Sequence, residues 1–281
     1  MNYLQVLKFG TKNLQNINSS NNYLDSELLL ADVLNLSREK ILINLQNQIQ
    51  KKQFDKFKQL IKRRSKNEPV AYIIKKKEFW KYEFYVNKNV LIPRPDTELI
   101  VEECLKIIRP ENSKKILDIG TGSGCIIISL INERPKCNGK AIDLSKKALK
   151  IAIHNAKMHH LQNKIKFINI DIDKFEDYKY DFIVSNPPYI LKQNVYRLDD
   201  NVRFYEPHIA LEAGADGFRV IRKIILKSKH LLKTNGKLIF EIGKNQTEYS
   251  KHFLNMNGFY INKISKDINS IPRVIVSTKL N

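Results

Sequence analysis

The sequence predicts an α/β fold with a doubly wound, mainly parallel sheet, preceded by a small helical bundle and a linking β-hairpin. Two observations support this prediction. After Pro110, apolar β-prone runs alternate with helical patterns, which is typical of a parallel sheet covered by helices. A glycine-rich turn at 120–124 follows the first strand, and polar residues follow the others. Strand ends of this kind form the edge where such sheets bind ligands.

The first part of the chain has helical apolar spacing and no catalytic constellation. We expect one helix over 24–36, capped by Asp25 or Ser26, and a short second helix capped by Ser37. A third, lysine-rich helix should end before Pro69. The predicted domains are a helical substrate-docking domain (1–75), a linking β-hairpin (76–92) and a catalytic domain (93–281).

The loop after the aromatic-rich hairpin is dense in prolines and charged side chains. Pro93 and Pro95 fix an extended backbone, and Arg94 lies between them. We expect Thr97 to cap a helix that begins near Glu98. A plain linker needs no such density of charge, so this loop is expected to help shape a pocket mouth, with solvated charge as the alternative.

The catalytic part is predicted to contain seven strands with helices between them. The predicted strands are 115–119, 140–143, 165–170, 180–185, 237–242, and two around 260–264 and 274–277. The predicted helices are 125–131, one starting at Ser145, 216–233 and one near 246–257.

The glycine-rich turn and the next strand end indicate a nucleoside site. Glycines at Gly120 and Gly122 let a ligand approach the backbone closely. Asp143 follows about twenty residues later, where a carboxylate can accept both hydroxyls of a ribose. Asp118 can hold the loop and a cationic group. A dinucleotide fingerprint would have a small residue where this chain has Cys125, which argues against a nicotinamide cofactor.

The strand at 180–185 ends abruptly at Asn186-Pro187-Pro188-Tyr189. Each proline fixes its own φ and holds the residue before it extended. The Asn186 amide and two carbonyls are therefore presented on a stiff backbone beside an aromatic ring. This arrangement suits a planar NH₂ group, either a carboxamide or an exocyclic amine. A diproline turn in which Asn186 bonds its own backbone is the plainer alternative.

Composition restricts the class of protein less than these motifs do. The 49 basic and 29 acidic residues give a net charge of +20, which fits nucleic acid, a ribosomal partner or an acidic membrane face. The excess is mostly lysine, and asparagine and isoleucine are also abundant. A coding sequence rich in A and T would raise all three, so the charge is weak evidence for function.

Cysteine usage and hydropathy predict a cytoplasmic protein. Cys104, Cys125 and Cys137 form no C-x-x-C pair and have no nearby histidines at metal spacing, so we expect reduced thiols and no metal. No segment approaches about eighteen uninterrupted apolar residues, and the N-terminal region lacks an apolar signal segment. We therefore expect a soluble, unsecreted protein with no membrane partner.

Taken together, the motifs resemble those of the peptide chain release factor N5-glutamine methyltransferases, a family of S-adenosylmethionine-dependent methyltransferases. The resemblance covers nearly the whole chain. Its carriers are Glu27-Leu28-Leu29-Leu30, Glu78-Phe79-Trp80, the run 91–98, the G-x-G-x-G turn with its preceding Asp118-Ile119, the run 184–189, Tyr205-Glu206-Pro207 with Ala210-Leu211, and Glu241-Ile242-Gly243. One departure is the final hairpin, where a glycine is common between Asp267 and Arg273 and this chain has none.

The resemblance implies a seven-stranded sheet, S-adenosylmethionine as cofactor and the glutamine of a Gly-Gly-Gln motif in release factors as substrate. It also implies a monomer without a stable nucleic-acid complex. The implied catalytic residues are Asn186, Pro187 and Tyr189. The implied cofactor-binding residues are Asp118, Gly120, Thr121, Gly122, Ser123, Gly124, Asp143, Asp171, Ile172 and Asn186. The implied substrate-binding residues are Asn186, Pro187, Pro188, Tyr189 and Arg94.

Two other functions are compatible with parts of the sequence. An adenine-N6 methyltransferase could use the same loop on a flipped base, and the net charge of +20 favours it mildly. The chain has no separate target-recognition domain for that role. A ribosome-associated binding protein with a decayed methyltransferase fold is the third interpretation, against which the intact Gly120, Asp143 and Asn186 argue.

Overall fold

The computed structural model describes residues 1–15, 17, 21–177 and 179–280. The predicted domains 1–75 and 93–281 each include positions outside the described residues. By its internal contacts the chain divides into two compact units: residues 1–76 together with 198–205, and residues 77–197 together with 206–281. The short segment 198–205 therefore clusters with the N-terminal helices.

In its described residues, the first unit is built mainly of helices joined by short turns. Its helices are α1 (Tyr3–Asn13), α2 (Asn22–Leu34), α3 (Arg38–Ile43), α4 (Lys51–Arg64) and α5 (Val70–Ile74). Their apolar faces enclose a core that includes Leu7, Leu30 and Phe57. The Tyr205 hydroxyl donates to the Lys66 carbonyl at 2.7 Å, which ties the segment 198–205 to this unit.

One predicted cap in this unit is wrong and another is confirmed. The side chain of Asn21 accepts the Leu24 N–H and caps α2, so neither Asp25 nor Ser26 does. Asp25 pairs with Arg64 at 2.8 Å instead. The Ser26 hydroxyl donates to a backbone carbonyl of α1. Ser37 caps α3 as predicted.

The second unit begins with a two-stranded hairpin and continues with strands and helices in alternation. Its strands are β1 (Lys76–Phe79), β2 (Tyr82–Tyr85), β3 (Lys115–Ile119), β4 (Asn138–Asp143), β5 (Ile165–Asn169), β6 (Tyr180–Ser185), β7 (Leu232–Glu241), β8 (Phe259–Lys266) and β9 (Pro272–Lys279). The helices after α5 are α6 (Glu98–Ile107), α7 (Cys125–Glu133), α8 (Lys146–Met158), α9 (Asp200–Arg203, in the first unit), α10 (Arg219–Leu231) and α11 (Thr247–Met256).

Among the described residues, seven strands form one sheet in the order β5-β4-β3-β6-β7-β9-β8. All neighbouring pairs are parallel except those of β9, which is antiparallel to both β7 and β8. The strand order reverses between β3 and β6. From there, β4 and β5 lie toward one edge of the sheet, and the strands from β7 onward lie toward the other. The predicted α/β class and seven-stranded sheet are confirmed, and such a reversal is where these sheets bind ligands.

The final hairpin turn forms without the glycine that is common there. Ser270 takes the left-handed conformation with φ +61°. The Asp267 carboxylate accepts the backbone N–H groups of Asn269 at 2.8 Å and Ile271 at 3.0 Å. Arg273 donates to the same carboxylate at 2.9 Å. These bonds offset the cost of a left-handed serine, so the departure leaves the turn intact.

Candidate active site

A cavity of about 420 Å³ lies at the carboxyl ends of the parallel strands. Its walls come from the segments that follow β3, β4, β5 and β6, with the loop 89–97 and part of α10. The volume is within the range of about 300–1,000 Å³ that is usual for ligand pockets. The position is the one that the strand order predicts for a ligand site.

The glycine turn after β3 forms an open cradle on one wall. Gly120 and Gly122 have φ of +73° and +57°, and a Cβ added to either would meet no protein atom within 4 Å. Both line the cavity, as do Thr121 and Ser123. Bare backbone therefore faces the space that a ligand would occupy.

Gly124 has a different role from the other glycines of the turn. A Cβ there would lie 2.9 Å from Ile128 Cδ1 and 3.3 Å from the Ala152 Cβ. Gly124 is absent from the described cavity lining. It therefore allows close packing of α7 against α8, and direct cofactor contact remains a prediction.

Asp118 lies beneath the cavity wall and is fully buried. The Thr121 hydroxyl donates to its Oδ2 at 2.7 Å, so the carboxyl group braces the glycine turn from below. Burial raises the pKa of Asp118 to about 7, and the nearby Asp143 carboxylate acts in the same direction. Asp118 is not among the described lining residues, and a contact with a cationic ligand group remains a prediction.

Asp143 ends β4 and lines the cavity. Its Oδ2 accepts the Gly122 N–H at 2.9 Å and its Oδ1 accepts the Ser145 N–H at 2.7 Å. Each carboxylate oxygen can accept a further hydrogen bond. Burial raises the pKa of Asp143 while both backbone N–H groups oppose that rise. The geometry leaves acceptor capacity for two hydroxyl groups.

The end of β5 supplies a second side of the same region. Asp171 and Ile172 line the cavity, and their contact with the cofactor remains a prediction. Asp171 also accepts the Asp173 N–H at 3.0 Å and caps a short 3-10 turn. Leu144, which is not among the predicted site residues, lines the cavity too and is 56% exposed. An apolar side chain directly after a strand-end carboxylate was the available signal.

The loop after β6 presents Asn186, Pro187 and Pro188 to the cavity. The Asn186 Nδ2 donates to Thr97 Oγ1 at 2.8 Å, and the Thr97 hydroxyl donates to Glu241 Oε2 at 2.6 Å. Thr97 is the N-cap residue of α6, which begins at Glu98 as predicted, but its side chain makes no capping hydrogen bond. Its hydroxyl instead accepts a hydrogen bond from Asn186 and donates one to Glu241.

Tyr189 directly follows Pro188 in this loop. Its hydroxyl lies near enough to the Glu241 carboxylate to lower the pKa of Glu241, and burial raises the pKa of Tyr189 to about 12. A Cβ on Gly243 would lie 2.9 Å from the Tyr189 ring. The described cavity lining does not include Tyr189, so stacking of this ring on a substrate amide remains a prediction.

Arg94 lines the cavity and pairs with a buried carboxylate. Its Nη2 donates to Glu206 Oε1 at 2.5 Å, while Glu206 Oε2 accepts the Ile92 N–H at 3.2 Å. Burial raises the pKa of Glu206 and outweighs the opposing effect of Arg94. The pair ties the proline loop to the segment after residue 205. A substrate-binding role of Arg94 remains a prediction.

Metal-ligating clusters and membrane-spanning helices are both absent from the part of the chain that the structure describes. No group of three or more histidine, cysteine, aspartate or glutamate side chains within them is arranged to hold a metal ion. No helix in the same residues is long and apolar enough to cross a membrane.

Comparison with known proteins identifies both parts of the chain. Residues 5–74 match the family model for the PrmC N-terminal domain, and residues 96–201 match that for the methyltransferase small domain. A methyltransferase from Pyrococcus furiosus has a similar fold, with a TM-score of 0.53 at 15% identity over 70% of this chain and 89% of that one.

Two curated relatives cover nearly the whole chain. A bifunctional methyltransferase of Rickettsia felis is 37% identical over 99% of this chain, which spans only 58% of that longer protein. A release factor glutamine methyltransferase of Fusobacterium nucleatum is 36% identical over 98% of this chain and 78% of that protein. The chain therefore belongs to the release factor glutamine methyltransferase family.

Proposed function

We propose that this protein transfers a methyl group from S-adenosylmethionine to the side-chain amide nitrogen (N5) of the glutamine in the Gly-Gly-Gln motif of peptide chain release factors. The observation that carries the proposal is the Asn186 amide, which lines the same cavity as Asp143 and the glycine turn. A side chain suited to bind an amide and a carboxylate suited to bind a nucleoside thus line one cavity. Family membership supplies the substrate class.

The residues present fit S-adenosylmethionine. The remaining acceptor capacity of Asp143 suits the two ribose hydroxyls, and Leu144 and Ile172 offer apolar surface for the adenine. The open backbone at Gly120 and Gly122 suits the methionine end. When bound, the cofactor supplies an electrophilic methyl group on a sulfonium.

An amide nitrogen is a weak nucleophile because its lone pair is delocalised, so its orientation matters. The Asn186 Oδ1 and the Pro187 carbonyl would each accept one N–H of the glutamine side chain. This would direct the nitrogen toward the methyl group in line with the bond that breaks. Positioning of this kind can supply up to about 7–11 kcal/mol of a barrier. The methylated amide is acidic and loses its extra proton without a strong base.

A small pocket cannot by itself select one protein among many, so the proposal includes a second contact surface. Residues 1–75 are proposed to dock the release factor. We further propose that the protein acts as a cytoplasmic monomer without a stable nucleic-acid complex. Arg94, on the proline loop, would help to shape the mouth of the pocket.

The test is tritiated methyl transfer from S-adenosylmethionine to three acceptors. The acceptors are a purified release factor, the same factor with its Gly-Gly-Gln glutamine changed to alanine, and plasmid DNA. We expect label on the first acceptor alone. Label on DNA would favour the adenine-N6 methyltransferase, which the net charge of +20 also favours. Label on the glutamine variant would contradict the proposed acceptor atom.

A further inference from the structure

The Asn186 side chain belongs to a directed chain of hydrogen bonds. Its Nδ2 donates to Thr97 Oγ1 at 2.8 Å, and the same Thr97 oxygen donates to Glu241 Oε2 at 2.6 Å. An ionised carboxylate can only accept, so the single hydroxyl proton of Thr97 goes to Glu241. The lone pairs of Thr97 then face Asn186, which must offer its NH₂ group. The amide oxygen is consequently left on the opposite side.

The positions of the three residues follow from the sheet. Ser185 of β6 is in register with Phe240 of β7, so the residues that follow them, Asn186 and Glu241, leave adjacent parallel strands side by side. Thr97 reaches the same place at the end of a 3-10 turn that begins with a proline. Thr97 and Glu241 are 2% and 1% exposed, so the hydrogen bond between them is shielded from water, while the Asn186 end of the chain of bonds is part-buried at the cavity wall.

A carboxylate buried to this degree is costly for the folded protein. Burial raises the pKa of Glu241 to about 7, and the nearby Asp96 adds to that rise. The Thr97 hydroxyl, the Tyr189 hydroxyl and the Arg273 guanidinium oppose it. An apolar residue would fill the same space at lower cost, so the retained carboxylate points to a role in the chemistry.

We propose that Thr97 and Glu241 are positioning residues that hold the Asn186 amide in the one orientation that can accept a substrate N–H. The inference rests on the proposed function, because it assigns a role in presenting the acceptor glutamine. A flipped Asn186 would turn its NH₂ group toward the substrate NH₂, and two donors would then face each other. Removal of the Thr97 hydroxyl lets both orientations form.

The charge of Glu241 sets the direction in which these hydrogen bonds donate. A protonated Glu241 donates to Thr97, whose own proton then turns to Asn186 and draws the amide oxygen away from the substrate. Methyl transfer is therefore expected to fall as the pH drops through about 7, the pKa to which burial raises Glu241. Asp96, Arg273 and Tyr189 face Glu241 and contribute to that pKa.

The experiment compares Thr97→Val, Thr97→Ser and Glu241→Gln in the full chain. Thr97→Val keeps the shape and removes the hydroxyl, and we expect it to lower kcat by roughly 10- to 100-fold. Its dissociation constant for S-adenosylmethionine should stay within about threefold of the parent value. Thr97→Ser keeps the hydroxyl and should restore most of kcat. Glu241→Gln can still accept from Thr97 but cannot titrate, so its activity should vary little between pH 6 and 8.

A matched control is Thr278→Val, which removes a similarly buried hydroxyl from β9, where it bonds Lys237 and Asn262. It should leave kcat and the pH profile unchanged. The inference is overturned if Thr97→Val turns over like the parent, if Thr97→Ser is as impaired as Thr97→Val, or if Glu241→Gln keeps the acid limb. A parent protein that fails to methylate release factor would instead contradict the proposed function.

Discussion

The Asp143 carboxylate and the Gly122 backbone are joined directly, with the N–H donating to Oδ2 at 2.9 Å. This bond links the glycine turn after β3 to the end of β4, and so fixes the position of the turn relative to the sheet. Ser145 occupies the other oxygen at 2.7 Å. The carboxylate is thus oriented before any ligand binds, and its free acceptor positions have a defined direction.

Replacement of Asp143 by alanine is expected to weaken S-adenosylmethionine binding. Loss of a charged acceptor from a hydroxyl pair costs about 1.5–3 kcal/mol, which is roughly ten- to hundredfold in affinity. Isothermal titration of the cofactor measures this directly. Asp216→Ala, at an exposed site outside the cavity lining, serves as control. An unchanged dissociation constant for Asp143→Ala would mean that the ribose lies elsewhere.

Asn186→Ala is expected to abolish methyl transfer while cofactor affinity stays within several-fold of the parent value. The reason is that Asn186 is proposed to align the acceptor amide, whereas the ribose is assigned to another strand end. A rate assay with release factor and a calorimetric titration with cofactor separate the two effects. Near-normal turnover in this variant would rule out alignment by the amide.

Arg94→Ala is expected to destabilise the protein because it leaves the buried Glu206 carboxylate without its cation. A fully buried pair loses about 3–5 kcal/mol in this way. Arg94 is 34% exposed, so solvent screening reduces the expected loss to about 1–3 kcal/mol. Denaturant unfolding provides the measurement.

A second substitution distinguishes the structural role of Arg94 from a substrate role. Glu206→Gln removes the buried charge but still accepts the Ile92 N–H, so Arg94→Ala with Glu206→Gln should recover most of the lost stability. If the double variant recovers stability but not the KM for release factor, Arg94 also contacts the substrate. No change in stability for Arg94→Ala would contradict the importance of the pair.

Hydrophobic periodicity and turn chemistry predicted the sheet well because both act locally. The bounds of β3 and β6 coincide with the predicted 115–119 and 180–185. Helix α1 was not predicted, and its Gly10 argues against a helix on propensity alone. A Cβ on Gly10 would lie 2.2 Å from the Ser26 Oγ, so the contact between α1 and α2 requires that glycine. Such a requirement is visible only once the two helices are paired.

The site residues at strand ends could be predicted from the sequence. The contacts between residues that are far apart in the sequence could not. The glycine turn, Asp143 and Asn186 line one cavity because parallel strands end at one edge. Thr97 has the local pattern of a helix cap, but its hydroxyl donates to Glu241, which is 144 residues away. No local sequence pattern shows whether a threonine before a helix caps that helix or bonds a distant residue. Here the tertiary contact with Glu241 determines which bond forms.

The buried Asp118 carboxyl is expected to make stability depend on pH. Its pKa is raised from 3.8 to about 7, so the folded state binds the proton more tightly than the unfolded state does. The associated stability is present below pH 4 and is lost as the pH rises through about 7. Asp118→Asn should therefore flatten the pH dependence of the unfolding free energy between pH 5 and 8.

Unfolding in denaturant at several pH values checks this expectation. The difference in unfolding free energy between variant and parent should be about 1–3 kcal/mol more favourable to the variant at pH 8 than at pH 5. Asp55→Asn is the matched control, because the Asp55 side chain is about half exposed and its pKa is lowered by the Lys58 side chain. Parallel pH profiles for parent and Asp118→Asn would show that Asp118 titrates in its ordinary range.

The first unit carries a basic helix that suits its proposed role in docking the release factor. Helix α4 carries seven lysines and arginines and one aspartate among its fourteen residues, and Phe57, Leu60 and Ile61 face the core. Its lysines 52, 56 and 62 are exposed. We expect this basic face to attract an acidic surface of the substrate, so reversal of these three charges to glutamate should lower kcat/KM for intact release factor at least about tenfold.

A short Gly-Gly-Gln peptide reaches the pocket without docking, so its weak methylation should change much less in the same variant. The effect on release factor should also shrink at high salt, because exposed charges are screened. Reversal of three exposed lysines in the second unit (150, 157 and 164) makes the same change in net charge away from α4. If both triple variants impair release factor methylation equally, net charge alone explains the loss. If the α4 variant impairs peptide and protein equally, the bundle supports folding and does not dock the substrate.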